Sequence, residues 1–170
     1  MSKKILVAYG TFAGSTEGVA ERIAQSLRAD DVSVEVLSAK KVSSLDGYTA
    51  VVLGSAIRAG QLHGDVLSFL KTHKANLASL PVAYFVVCMT MKDDTPENRC
   101  TVEAYLNPAR EAAPQVEPVS VGLFAGAIDM KKLAFPLRLI MKAMKAEPGD
   151  YRDNQKIDAW VSEIKTQLAA

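Results

Sequence analysis

The stretch Ile5-Leu6-Val7-Ala8-Tyr9-Gly10-Thr11-Phe12-Ala13-Gly14-Ser15-Thr16 runs from an apolar segment, through a turn bracketed by glycines, straight into a helical pattern. An apolar run of this length suits a strand covered on both faces, as in parallel sheets flanked by helices. The turn gathers three hydroxyls, Thr11, Ser15 and Thr16, with several backbone N–H groups at a helix N-terminus, which makes a cradle for an anion. It contains no lysine or arginine and so differs from a triphosphate loop, where a lysine meets the outer phosphates. It also lacks GxGxxG, and the next strand ends in Leu37 and Ser38 with no acid to hold a ribose. A terminal monophosphate on neutral donors fits better than a dinucleotide or a triphosphate. The alternative is a polar turn in which Ser15 or Thr16 only caps the helix.

Outward from that turn, Val32 to Leu37, Ala50 to Gly54, Val82 to Cys88 and Val119 to Ala125 are further strand-like runs. They alternate with helical spacing over Thr16 to Arg28, Leu62 to Leu77 and Pro96 to Ala113, the pattern of repeated βαβ units. With Ile5 to Tyr9 the runs predict five strands, and the alternating one at Val32 belongs at an edge. Asp94, Thr95 and Pro96 offer a cap and a first-turn proline to the third helix. Lys131 to Lys145 is basic and apolar, a break follows at Pro148 and Gly149, and Asn154 to Leu168 makes a last amphipathic helix. The expected fold is α/β: one domain over residues 1–170, a doubly wound parallel sheet with helices on both faces and an insertion before the final helix.

Twenty Lys and Arg against nineteen Asp and Glu leave a formal charge of +1, with 49% hydrophobic residues. That balance excludes a disordered chain and lacks the basic surplus of a nucleic-acid binder. Cys88 and Cys100 have no paired ligand spacing, so no metal site is expected, and thiols this sparse fit a reducing compartment. The opening MSKKILVAYG has too short an apolar run for a secretory leader, and no apolar stretch reaches the roughly 18 residues of a membrane span. A cytoplasmic location is expected.

In open parallel sheets ligands lie beyond the carboxyl ends of the strands, where the strand order reverses. The loop after the third strand, Gly54-Ser55-Ala56-Ile57-Arg58-Ala59-Gly60-Gln61-Leu62-His63, has small residues that admit a planar ligand, one cation and one imidazole. The loop after the fourth is Met89-Thr90-Met91-Lys92-Asp93-Asp94, and neither contains an aromatic residue. His63 either relays a proton, since its ordinary pKa lies near neutrality, or simply opens a helix; His73 is helical. Cys88 reads as a packed strand thiol and Cys100 as a helix residue.

The turn TFAGST resembles the phosphate loop of flavodoxins, whose pattern is Ser/Thr, any, Thr, Gly, any, Thr; Ala13 replaces the second hydroxyl. The resemblance implies a sheet in the order 2-1-3-4-5 with FMN across the strand ends. Its phosphate would rest on Thr11, Gly14, Ser15 and Thr16, beside Phe12 and Ala13. Its ring would lie between Ser55, Ala56, Ile57 and Arg58 on one side and Met89, Thr90 and Met91 on the other, less shielded than where an aromatic stacks on it. Arg58 would then stabilise negative charge on the reduced ring and raise its potential, unless it pairs with Asp93 or Asp94.

GSAIRAGQLHGDVLSFLKTH, GAIDMKKLAFPLRLIMK and GDYRDNQKIDAW are similar to segments of the flavodoxin-type, menaquinone-dependent protoporphyrinogen oxidases. Asp129-Met130-Lys131-Lys132 departs from them, where that family carries aromatics and arginines. This resemblance implies an oxidoreductase that passes electrons from protoporphyrinogen IX through FMN to a membrane quinone, with Arg58 and His63 as catalytic candidates. It also implies peripheral membrane contact through Lys131 to Lys145, by a helix from Leu133 to Met144; the alternative for that segment is an ordinary amphipathic helix packed against the sheet with its lysines solvated. The alternative is a soluble flavodoxin carrying electrons between proteins; near-neutral charge speaks mildly against it, because many flavodoxins dock through a strongly acidic surface. Oligomeric state is left open.

Overall fold

Six of the eight residues of β1 (Lys3–Gly10) are buried, and its side chains alternate between two separate cores. Leu6 and Ala8 point to one, Ile5, Val7 and Tyr9 to the other, as the two-residue period of a strand requires. The computed structural model describes residues 2–170. After β1 come α1 (Ser15–Leu27), β2 (Val32–Ser38), β3 (Ala50–Arg58), β4 (Gln61–Leu62) and α2 (Gly64–Leu77). The chain continues through β5 (Val82–Val87), α3 (Pro96–Ala104), α4 (Asn107–Ala112) and β6 (Val121–Phe124). β7 (Ala127–Ile128), α5 (Phe135–Ala143), β8 (Gly149–Asp150) and α6 (Asn154–Leu168) complete it.

The main sheet has the order β2-β1-β3-β5-β6, all parallel. This is the expected 2-1-3-4-5 topology, with the short antiparallel β4 attached to β3. The alternating strand, β2, is at an edge, as its pattern implied. α1 and α6 cover one face through Val19, Ile23, Trp160 and Ile164; α2, α3 and α4 cover the other through Phe69, Leu70, Val102 and Ala109. At Gly54, in the centre of β3, a β-carbon would collide with the ring of Phe85, which lies across the glycine and leaves no room for a side chain.

Several boundaries differ from the expectation: α2 starts at Gly64, the expected start Leu62 standing in β4, and the strand expected over Val119 to Ala125 is Val121–Phe124. β3 runs four residues past Gly54, to Arg58, because it first pairs with β5 up to Ala56 and then folds back on β4 through Ala59 and Gly60. The third helix is two helices: Pro108 has no N–H to give and its ring would press on the Ala104 carbonyl, so the chain tightens at Tyr105 and Leu106 before α4 starts. The insertion helix is shorter than Leu133 to Met144, opening with Pro136 in its first turn. The cap on α3 is as read: Thr95 Oγ1 accepts the N–H of Asn98 at 3.1 Å.

Candidate functional site

The turn between β1 and α1 is built around Gly14, the N-cap, whose φ of 92° is a left-handed conformation that side chains resist. Among the described residues no side chain caps α1, neither that of Ser15 nor that of Thr16. Thr11 Oγ1 instead accepts the N–H of Gly14 at 2.8 Å, which leaves the first-turn amides of α1 without a side-chain partner. Thr16 is fully buried and its hydroxyl has no hydrogen-bond partner. Such an orphan costs about 1–3 kcal/mol. An anion at this helix end would supply acceptor oxygens where amides and a hydroxyl are in want of them.

Beyond the carboxyl ends of β1, β3 and β5 lies a cleft of about 410 Å³, of the size that small-molecule ligands occupy. Phe12, Ala13, Ser15, Ala56, Ile57, Arg58, Met89 and Thr90 line it, bringing together three loops distant in sequence. Thr11, Gly14 and Thr16 belong to the turn and not to the cleft wall. Ser55 and Met91 are buried; Ser55 Oγ accepts the His63 N–H at 2.9 Å and so ties the start of α2 to β3. A larger depression of about 540 Å³ between α1 and the start of α6 lies away from the strand ends. Two of its arginines, Arg22 and Arg152, are already engaged by Asp158 and Asp150.

Arg58 pairs with neither Asp93 nor Asp94. Its guanidinium lies 4.0 Å from the centre of the Phe12 ring, and the His63 ring, tilted by 43°, has its centre 4.6 Å from that of Phe12, so a cation, an aromatic and an imidazole cluster across two loops. His63 is the N-cap of α2, its Nδ1 accepting the Asp65 N–H at 3.1 Å. That bond fixes the acceptor nitrogen and leaves Nε2 to carry the proton. His63 does not line the cleft. Asp94 is held by Arg99 and, at 2.9 Å, by Lys156, and these cations keep its carboxyl well below the usual carboxylate range.

Sequence reading missed much of the remaining wall. Tyr105, from the break between α3 and α4, and Gly126 to Asp129 line the cleft, as do Leu133, Leu137, Met141 and Met144. With Phe12, Tyr105 supplies the aromatic surface that the loops after β3 and β5 lack. Leu137 and Met141, four apart, share one face of α5, with Leu133 and Met144 just beyond its ends, and that spacing was readable. What α5 does with its other side is less usual: Phe135, Leu139 and Ile140 are exposed, Phe135 by 70%. Lys131, Lys132, Lys142 and Lys145 stand exposed around it. Lys92 holds the far end of the insertion, reaching Glu147 at 3.2 Å and the Tyr151 ring at 4.7 Å. Among the described residues there is no helix long and apolar enough to cross a membrane, and no group of three potential metal ligands.

Known proteins share this arrangement at two levels. The chain is 30% identical over 159 residues to protoporphyrinogen IX dehydrogenase (quinone) of Leishmania major, spanning 91% of this chain and 68% of that protein. To the Escherichia coli K12 protein of the same name it is 24% identical, over 90% and 84%. Among solved structures, oxidised flavodoxin 1 of Bacillus cereus superposes with a TM-score of 0.62 at 17% identity, covering 98% of this chain and 99% of that one. An FMN-bound flavoprotein of Lactobacillus acidophilus superposes with a TM-score of 0.52 at 16% identity, over 72% and 93%. Residues 6–155 match the flavodoxin domain model, and the chain therefore belongs to the flavodoxin domain family.

Proposed function

We propose that this protein is an FMN-dependent oxidoreductase that withdraws hydrogen from a porphyrinogen-type substrate and delivers electrons to a quinone at a membrane surface. FMN is the cofactor of its family, and the residues present fit it: a cation-free turn with unclaimed amides, an orphaned Thr16 hydroxyl and a cleft of suitable size beside them. When bound, FMN supplies the redox chemistry; the protein supplies position and electrostatics. Thr11, Gly14, Ser15 and Thr16 would hold the phosphate end. Ala56 and Ile57 would border one ring edge, Met89 and Thr90 the other. Arg58, over the ring of Phe12 at the cleft wall, is a positive charge that favours negative charge on a reduced ligand. His63 packs against Phe12 and caps α2, a positioning role.

One observation carries the choice of enzyme: α5 is apolar on two sides. Leu137 and Met141 line the cleft, with Leu133 just before the helix, while Phe135, Leu139 and Ile140 face outward among lysines. A helix so built rests on an anionic lipid surface with its apolar side chains in the acyl boundary, and brings the cleft mouth to where a lipid-dissolved quinone resides. The names of the relatives, protoporphyrinogen IX dehydrogenase (quinone), agree with both substrates. A second reading, an electron carrier between proteins, has its support in the near-complete overlap with flavodoxins.

Anaerobic turnover of FMN-loaded protein with protoporphyrinogen IX and a quinone analogue, followed by porphyrin fluorescence, separates the two. Quinone-dependent fluorescence above a free-flavin blank is the expected result. An intact flavin spectrum with no turnover would assign the carrier role.

A further inference from the structure

The phosphate turn presents an electrostatic gap. A phosphate monoester carries between one and two negative charges at neutral pH, yet residues 10–16 contain no cation. Amides and hydroxyls share that charge but do not neutralise it, whereas an ammonium offsets a full charge and donates a charge-assisted hydrogen bond of its own. The structure brings one in from 118 positions along the chain (132 − 14). A β-carbon placed on Gly14 would stand 3.9 Å from the Nζ of Lys132.

Lys132 is held there by its own segment. The Lys131 N–H donates to the Asp129 carboxylate at 3.0 Å, and the Lys132 N–H donates to the Asp129 carbonyl at 3.0 Å, closing a single helical turn over Met130–Lys132. The root of the segment is docked on the same turn: a β-carbon on Gly126 would come within 3.2 Å of Ser15 Oγ. Among the described residues no carboxylate lies within ion-pair distance of Lys132, whereas Lys4, Lys92 and Lys156 all have one. The ammonium is thus beside the cradle and uncommitted.

We infer that Lys132 is the counter-charge for the FMN phosphate, so that the insertion before α6 completes the phosphate site and selects the phosphorylated flavin over the unphosphorylated one. The inference rests on the FMN reading above. It follows that the discrimination between FMN and riboflavin is divided between the turn, through hydrogen bonds, and the insertion, through charge.

The experiment titrates apoprotein with FMN and, separately, with riboflavin, by quenching of flavin fluorescence, for the unaltered protein, Lys132→Ala, Lys132→Arg and Lys131→Ala. Lys132→Ala is expected to weaken FMN on the order of tenfold, the equivalent of one charge-assisted hydrogen bond, and to leave riboflavin unchanged. Its FMN affinity should also depend less on salt concentration. Lys132→Arg should restore most of the loss, and Lys131→Ala, one residue away and equally exposed, should behave as the unaltered protein. An equal loss for both flavins in Lys132→Ala would make Lys132 a structural residue, and no loss for either would place its ammonium in solvent; both overturn the inference and leave FMN binding standing. Failure of the unaltered protein to bind FMN would instead overturn the cofactor reading, and this one with it.

Discussion

The two halves of the candidate site were made by different physics. The turn from β1 into α1 is fixed by local chemistry: a strand buried on both sides, a left-handed glycine, a threonine that accepts the glycine's N–H, and a helix that begins at once. The insertion from β7 to β8 has little of this. It is joined by a two-residue ribbon, Ala127–Asp150 and Ile128–Gly149, contributes none of the fully buried side chains, and leaves Phe135, Leu139, Ile140 and Met144 exposed. The first half is specified by sequence neighbours and the second by what it meets, so a substitution in the turn acts on the cofactor, whereas one on the outward face of the insertion acts on the partner.

The largest effect expected is on the turn. Gly14→Val places a β-branched residue at a φ of 92°, where L-residues pay a backbone penalty and the new side chain fills the approach to the amides. FMN affinity should fall at least about a hundredfold, the sum of roughly 1–2 kcal/mol of backbone strain and one or more lost hydrogen bonds. Purified protein that retains its full complement of FMN would remove the cradle assignment.

Next is the insertion. Phe135→Ser with Ile140→Ser strips two exposed apolar side chains, 70% and 54% accessible, that support nothing in the core. Surface changes of this kind alter stability by about 0.5 kcal/mol or less, while each apolar group that enters lipid contributes about 1.5–3 kcal/mol. Co-sedimentation with vesicles containing anionic lipid should therefore drop more than tenfold, with FMN binding and thermal midpoint nearly unchanged. A collapse of thermal stability instead would show that this face packs on the protein and would erase the contrast between the halves.

How much of this was legible follows the same division. The strands and the edge position of β2 were readable because burial on two faces and alternation are local signals, and hydroxyls at a helix start marked the turn proposed as the cradle. The extension of β3 to Arg58 was not, since it depends on pairing with β4 through an Ala59-Gly60 turn, a weaker hairpin signal than Asn-Gly. The split between α3 and α4 was readable at Pro108 and was passed over. The stacking of Arg58 on Phe12 could not be read at all: the residues are 46 apart (58 − 12), and only the parallel pairing of β1 with β3 brings their loops together. Thr11, Gly14 and Thr16 stand in the turn, Ser55 and Met91 in the core, because a loop's sequence states which residues are near a site but not which of them face it.

Arg58 sharpens the comparison, because it borders the cleft from the sheet side. Arg58→Ala removes a positive charge that would lie within reach of a reduced ligand, an effect on the order of 1 kcal/mol at about 4 Å in water and larger where the cleft excludes it. The midpoint potential of bound FMN should fall by tens of millivolts, read by anaerobic titration, without loss of affinity for lipid. A potential that does not move would return Arg58 to the surface as a cover for Phe12.

The smallest effect tests strain in the loop that the sequence reading cut short. Ala59 has a φ of 50° and Gly60 one of 73°, so both central residues of the β3–β4 turn are left-handed, and only one of them is a glycine. A hairpin of this type prefers Asn or Gly at its first position, and alanine there carries a penalty of about 1–2 kcal/mol against a glycine's greater freedom when unfolded, worth about 0.5–1 kcal/mol. Ala59→Gly should therefore stabilise the apoprotein by roughly 0.5 kcal/mol in denaturant titration. The same residue lines the cleft, so a gain in stability with weaker FMN binding would mean that the strain at Ala59 keeps the loop pre-shaped for the ring. A loss of stability would mean that the methyl group packs in the cleft wall and that the left-handed turn is held by contact, as the insertion is, instead of by its own chemistry.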